Sequence, residues 1–235
     1  MTFEQLTRAR GLHLQQHVDV TAQAEWLACR VADQLRKAIT EKGFARMALS
    51  GGRSPQAFLR QLAGQSLDWS RIGLTLVDER WVDQHSADSN AALLRDALAE
   101  HWTQLHWLPL YRGISPAADA EQVSAALQAW LPFDVVVLGM GVDGHCASLF
   151  ADDPQLAQWL DPDAAPLCVP VAANAQRLPR LSLTPRALVN AGLQLLAISG
   201  EDKRATVQQA LTGVGGLPVA ALLQPSLTIS YSPAG

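Results

Sequence analysis

Cysteine and lysine are both scarce in this chain, with three of each in 235 residues. Cys29, Cys146 and Cys168 are odd in number and lack CxxC spacing, which excludes a disulfide framework and a zinc site and points to free thiols in a reducing compartment. Basic residues are scattered and outnumbered, 18 against 22 acidic, for a net charge of −4. A protein held to nucleic acid by counterion release carries a basic excess or stripe, so that class is set aside. Long apolar runs are missing too. Stretches such as Val135–Leu138 are strand-sized, far short of the roughly 18 residues a membrane helix needs. The first residues, Met1-Thr2-Phe3-Glu4-Gln5-Leu6-Thr7, hold no apolar signal region. The expectation is a soluble, cytoplasmic protein with no membrane or nucleic-acid partner, monomeric or a small homo-oligomer.

What is present is ordinary globular material, 49% hydrophobic and 17% charged, with 16 Gly and 13 Pro. The length suits one large α/β domain, expected to span residues 1–235. Apolar strand-like runs alternate with amphipathic runs. In 21–42, Leu27, Val31, Leu35 and Ile39 recur every four residues, and Gly43 stands where a left-handed cap would end that helix. Strands are predicted over 44–49, 72–77, 105–110, 133–140 and 193–199. Helices are predicted from Pro55 into Leu62, over 90–98 with Ser89 or Asn90 as cap, over 119–130, and from Gly200 to Leu211. The segment 151–180, rich in Pro, Asp and Ala, reads as a loop-dominated insertion. This alternation implies βαβ units: a three-layer α/β/α fold with a mostly parallel, Rossmann-like sheet.

Four polar strings each follow an apolar strand: Ser50-Gly51-Gly52-Arg53-Ser54-Pro55, the Asp78-Glu79-Arg80 turn, Gly141-Val142-Asp143-Gly144-His145 and Gly200-Glu201-Asp202-Lys203. In a parallel sheet they share one edge, where such folds bind ligands. The first has the make-up of an anion cradle, because glycines admit a ligand to the backbone, Ser50 and Ser54 add hydroxyls and a helix N-terminus follows. It is equally the make-up of a capped tight turn. His145, two residues after Asp143, is a candidate acid/base group oriented by a carboxylate, either Asp143 or Asp78. Arg80 could steady a phosphate or an oxyanion, or be a solvated surface arginine. Lys203 opens a helix, where a cation opposes the dipole unless an anion binds. Arg180 is a further candidate; Arg53 and Arg177 carry no assigned contact. Residues 139–144 also spell GxGxxG after a strand, the mark of a dinucleotide-dependent oxidoreductase, but Asp152-Asp153-Pro154 interrupts the helix that fingerprint should open, and it lies past mid-chain.

Taken in order, these strings resemble the 6-phosphogluconolactonase family, within the group that includes glucosamine-6-phosphate deaminase. The resemblance runs through Ala48–Pro55, Val77-Asp78-Glu79-Arg80-Trp81-Val82, Ser89-Asn90 with Leu93 and Leu94, Leu138–His145, Ala147-Ser148-Leu149-Phe150, Arg180-Leu181-Ser182-Leu183-Thr184, Gly200–Lys203 and Leu217-Pro218-Val219-Ala220-Ala221. It implies hydrolysis of a phosphorylated sugar lactone at a site without metal or cofactor. By the same resemblance Ser50, Gly51, Gly52, Ser54, Arg180 and Lys203 would hold the phosphate, and His145 would be the acid/base with Asp143, Asp78 and Arg80 around it. The family usually has Thr at Cys146 and Pro at Ala151. The deaminases carry Asp-Glu-Tyr where this chain has Asp78-Glu79-Arg80, and a glutamate shortly after the histidine; this chain has neither mark. A phosphosugar sensor of the same fold would need a DNA-binding segment, and no helix-turn-helix is apparent before Phe44.

Overall fold

In the computed structural model, residues 1–52, 55–161, 163 and 165–233 are described. The chain opens with helix α1 (Phe3–Ala9), strand β1 (His13–Gln16) and the long helix α2 (Val20–Lys42). Asp19 starts α2 by accepting the Ala22 amide, and Gly43 ends it at φ 79°. The four-residue spacing puts Leu27, Val31 and Leu35 inside. There follow β2 (Ala45–Leu49), α3 (Gln56–Ala63), β3 (Ile72–Leu76), β4 (Asp78–Arg80), α4 (Asn90–Ala97), β5 (His106–Trp107), α5 (Pro116–Leu127) and β6 (Val135–Leu138). The last third holds α6 (Leu156–Trp159), β7 (Cys168–Val171), β8 (Arg180–Leu183), α7 (Pro185–Leu188), β9 (Leu193–Ser199), α8 (Glu201–Thr212) and β10 (Thr228–Ser232).

Seven strands form one sheet in the order β1-β10-β9-β6-β2-β3-β5, every pair parallel. Its centre is buried on both faces: all of β3 and β6 are inaccessible, as continuous apolar runs require when helices cover each side. This is the expected α/β/α architecture. From β2 the chain steps to β3 and β5 on one side, then returns to β6 on the other, so the strand order switches between β2 and β6. Among the described residues no helix is long and apolar enough to cross a membrane.

One expectation needs correction and two need refining. Asp78-Glu79-Arg80 is a strand rather than a turn, and pairs antiparallel with β8 in a second sheet, β4-β8-β7. The segment 151–180 is largely irregular, but it contributes β7 and a separate small core of Leu149, Phe150, Trp159, Val169 and Val171. Helix α5 also begins earlier than its pattern suggested, because Ser115 caps it through the Ala118 amide and Pro116 fills the first turn. The elements α1, β1 and β10 carried too short a pattern to be predicted.

Candidate active site

The switch between β2 and β6 opens a cleft of about 480 Å³ outside the carboxyl ends of the strands. Ser50 begins its floor. Its amide donates to the Val137 carbonyl, and its hydroxyl accepts the Gly139 amide at 2.9 Å, stitching the ends of β2 and β6 together. The hydroxyl keeps its own proton for a ligand. Gly51 is glycine because a Cβ there would lie 2.2 Å from the Asn90 side chain. Gly52 has φ 91°, a left-handed backbone that glycine takes without strain. Both glycines line the cleft. Arg53 and Ser54 lie outside the described residues.

Across the cleft, residues 139–145 fold back on themselves. Gly141 donates its amide to the His145 carbonyl, and Gly144 turns the chain at φ 79°. His145 Nδ1 stands 2.6 Å from Asp143 Oδ1, and the His145 amide donates to the same oxygen. The imidazole leans on the Phe150 ring, centroids 4.6 Å apart. Nδ1 is thereby committed to the carboxylate, and Nε2 has no hydrogen-bond partner among the described residues. Asp143, rather than Asp78, is the carboxylate on the histidine. Cys146, fully buried, donates its thiol to the Gly139 carbonyl at 3.0 Å, a bond a threonine hydroxyl could equally make. Burial pushes this thiol up to about 12, so it stays protonated and donating.

The second sheet supplies the positive charge. In its antiparallel register Arg80 lies directly opposite Arg180, and Asp78 opposite Ser182. Alternation sends Asp78 and Arg80 to the cleft and Glu79 to the other face. Like charges placed opposite one another are unfavourable. Asp78 offsets this, with its carboxylate 3.6 Å from Arg180 and accepting the Ser148 hydroxyl at 2.6 Å. Burial first, then the neighbouring Arg80 and Arg177, lowers the Arg180 pKa against the pull of Asp78. Arg80 donates to the Asp88 carbonyl, and the Nε atoms of Arg80 and Arg180 are buried without partners among the described residues. Arg177 turns away, paired with Asp152 and stacked over Phe150, and takes no part in the cleft lining. Lys203, in the first turn of α8, lines the cleft with no acidic partner among the described residues, and burial lowers its pKa.

Every described residue predicted for the site, namely Ser50, Gly51, Gly52, Asp78, Arg80, His145, Arg180 and Lys203, borders this one cleft, with Asp143 attached through the imidazole. No group of three or more His, Cys, Asp or Glu among the described residues is arranged to hold a metal ion. The GxGxxG string opens no helix; the next one is the four-residue α6.

The family model for glucosamine-6-phosphate isomerases/6-phosphogluconolactonase matches residues 19–229. The chain belongs to that family. Its relatives in the isomerase/lactonase family include the 6-phosphogluconolactonases of Pseudomonas aeruginosa, 42% identical over 99% of this chain and 100% of that protein, and of Pseudomonas putida, 39% identical over 99% and 98%. A solved 6-phosphogluconolactonase structure from Shewanella baltica superimposes with a TM-score of 0.87 at 31% identity, covering 95% of this chain and 98% of that one.

Three residues that build this family site escaped a functional reading of the sequence. Glu79, 1% exposed, accepts the Asn90 and Ala91 amides, the Ser89 hydroxyl and the Arg80 amide, and so fixes α4 to β4. Desolvation raises its pKa against those four bonds. Asn90, read only as a cap, lines the cleft and donates its side-chain amide to the Asp78 carbonyl. Ser148 joins the histidine loop to the second sheet through Asp78 and Ser182. The signal for each was a polar residue next to a motif, and nothing local distinguishes such a residue from surface decoration.

Proposed function

We propose that this chain hydrolyses 6-phospho-D-glucono-1,5-lactone to 6-phospho-D-gluconate, the second step of the oxidative pentose phosphate pathway. It does so in the cytoplasm, as one α/β domain, with its own side chains and no metal or cofactor. The carrying observation is that His145 with Asp143 on its ring, the two facing arginines and Lys203, which has no acidic partner among the described residues, come together at one cleft with the Gly51–Gly52 backbone.

In this reading, Gly51, Gly52, Ser50 and Lys203 receive the 6-phosphate, and Arg180 lies between that end and the reacting carbon. Fixing the phosphate presents C1 to the imidazole, the positional share of catalysis. Asp143 accepts a hydrogen bond from Nδ1–H, which keeps its proton, leaving the Nε2 lone pair as base. Nε2 takes a proton from water as its oxygen bonds to C1, and the carbonyl becomes an oxyanion facing Arg80 and Arg180. A preorganised donor of this kind contributes roughly 3–4 kcal/mol. Collapse breaks the bond from C1 to the ring oxygen, which takes the proton back from His145. The product is the open carboxylic acid, ionised at neutral pH.

Release of 6-phosphogluconate, followed by a coupling dehydrogenase and corrected for spontaneous opening, tests the reading. His145→Ala is expected to lower kcat about 10²–10⁴-fold with the melting temperature retained. An unchanged kcat removes the imidazole from the mechanism.

A further inference from the structure

Helix α8 touches both the cleft and the loop that carries the histidine. Lys203 stands at the phosphate end, and Thr206, one turn along the same face, reaches the histidine loop. The Thr206 hydroxyl lies within donating distance of two carbonyls, that of Val142 at 2.8 Å and that of Asp202, one turn back in its own helix, at 3.0 Å. Val142 sits between Gly141 and Asp143, in the turn that carries the acid–base pair. Other ties from distant segments to that turn are the Val219 amide, which donates to the Gly144 carbonyl, and Leu217, which packs against Gly144. Val142 itself is 63% exposed, so its side chain anchors nothing.

We propose that Thr206 is a positioning residue through which binding of the substrate phosphate at Lys203 sets the His145–Asp143 turn. The inference rests on the lactonase reading above. Energy from a remote, unreacting group raises kcat only when it is used at the reacting centre, and here one hydrogen bond spans the interval. A dianion on Lys203 fixes the first turns of α8. The Thr206 hydroxyl, on the next turn, then holds the Val142 carbonyl, and with it the backbone on which the Asp143 carboxylate and the imidazole are mounted. A lactone without phosphate leaves Lys203 empty, so the tie is present but nothing at Lys203 fixes the turn of α8 behind it.

The test compares kcat on the 6-phospholactone and on plain glucono-1,5-lactone. Thr206→Val keeps the shape and removes the hydroxyl. It is expected to lower the ratio of the two kcat values about three- to tenfold, the range of one hydrogen bond, with KM for the phospholactone within twofold because Lys203 is intact. Thr206→Ser restores the hydroxyl and the ratio. Thr206→Ala, with the best helix-forming side chain, reproduces the loss should valine disturb the helix. A ratio unchanged in both hydroxyl-free variants, or equal losses on both lactones, overturns the proposal. Wild-type protein that opens neither lactone, or that shows no preference for the phosphorylated one, overturns the underlying reading instead.

Discussion

Gly141 offers the sharpest test of the acid–base geometry, because the perturbation is one carbon atom whose position is known. A Cβ there would lie 2.3 Å from both Cε1 and Nδ1 of His145 and 2.5 Å from Asp143 Oδ1. Ordinary contact begins near 3.4 Å, so Gly141→Ala must push the imidazole or its carboxylate aside by about 1 Å. The atoms displaced are the ends of partly exposed side chains, so the fold tolerates the change. The Gly141 backbone is outside the left-handed region, and alanine there loses less chain entropy on folding, a gain of roughly 0.4–1 kcal/mol that offsets the crowding. The melting temperature should therefore stay within a few degrees. A misplacement of this size costs about 10²-fold in rate, or about 2.7 kcal/mol of barrier. The coupled assay should show that loss in kcat, with KM for the phospholactone little changed because Lys203 and the glycine loop are untouched. A kcat within threefold of wild type refutes the argument, since the reaction would then be indifferent to where the imidazole–carboxylate pair stands.

Other outcomes follow from the same geometry. Lys203→Ala should raise KM for the phospholactone roughly 10- to 100-fold, the loss of one bond to a charged group, and leave KM for the unphosphorylated lactone alone; equal changes on both would contradict a phosphate contact. Cys146 and Cys168 are buried, each pushed up to about 12 by desolvation, whereas Cys29 is exposed. A chromogenic disulfide should therefore titrate one thiol in the native protein and three in denaturant, and a second native thiol would refute the burial of Cys146 or Cys168. Glu79 has a folded pKa raised above its ordinary 4.5, so the folded protein binds the proton more tightly than the unfolded chain. Its stabilising contribution is full below pH 4.5 and is lost as pH rises through the folded value. The urea-unfolding stability of wild type relative to Glu79→Gln should fall as pH rises across that window; a difference independent of pH would refute it.

What the sequence disclosed depended on how far each signal reaches. The 23 residues of α2 repeat their apolar face often enough to be read alone, and Asp19 and Gly43 bound it. The buried strand β6 announces itself as an unbroken apolar run, and β3 and β9 as mostly apolar ones. By contrast, β4 is three polar or charged residues, and what makes it a strand is β8, about a hundred residues away. No local pattern encodes such a pairing. The same holds for the edge strand β1, whose partner β10 lies at the other end of the chain. The site was legible to a greater extent than the fold, because the carboxyl ends of parallel strands converge whatever their order, so four polar strings could be assigned to one edge before the order was known. Which carboxylate serves His145 was not legible: Asp78 is brought to Ser148 and Arg180 by the second sheet, while Asp143 needs only a two-residue turn.

The glycines of 139–144 show why spacing alone misleads. In a dinucleotide fold the three glycines of this pattern allow a tight turn, a backbone close to pyrophosphate and a helix packed on its strand. Here Gly139 is occupied on both sides of its peptide, donating its amide to Ser50 and accepting the Cys146 thiol. Gly141 lies beneath the imidazole and the carboxylate, where any Cβ would collide with them. Gly144 supplies the left-handed turn and meets Leu217. None of these three positions is free to face a pyrophosphate, and no helix begins after them to offer its N-terminus. The identical spacing therefore builds a mount for the proposed acid–base pair, and the residues that distinguish the two uses are the Asp143 and His145 that flank the last glycine.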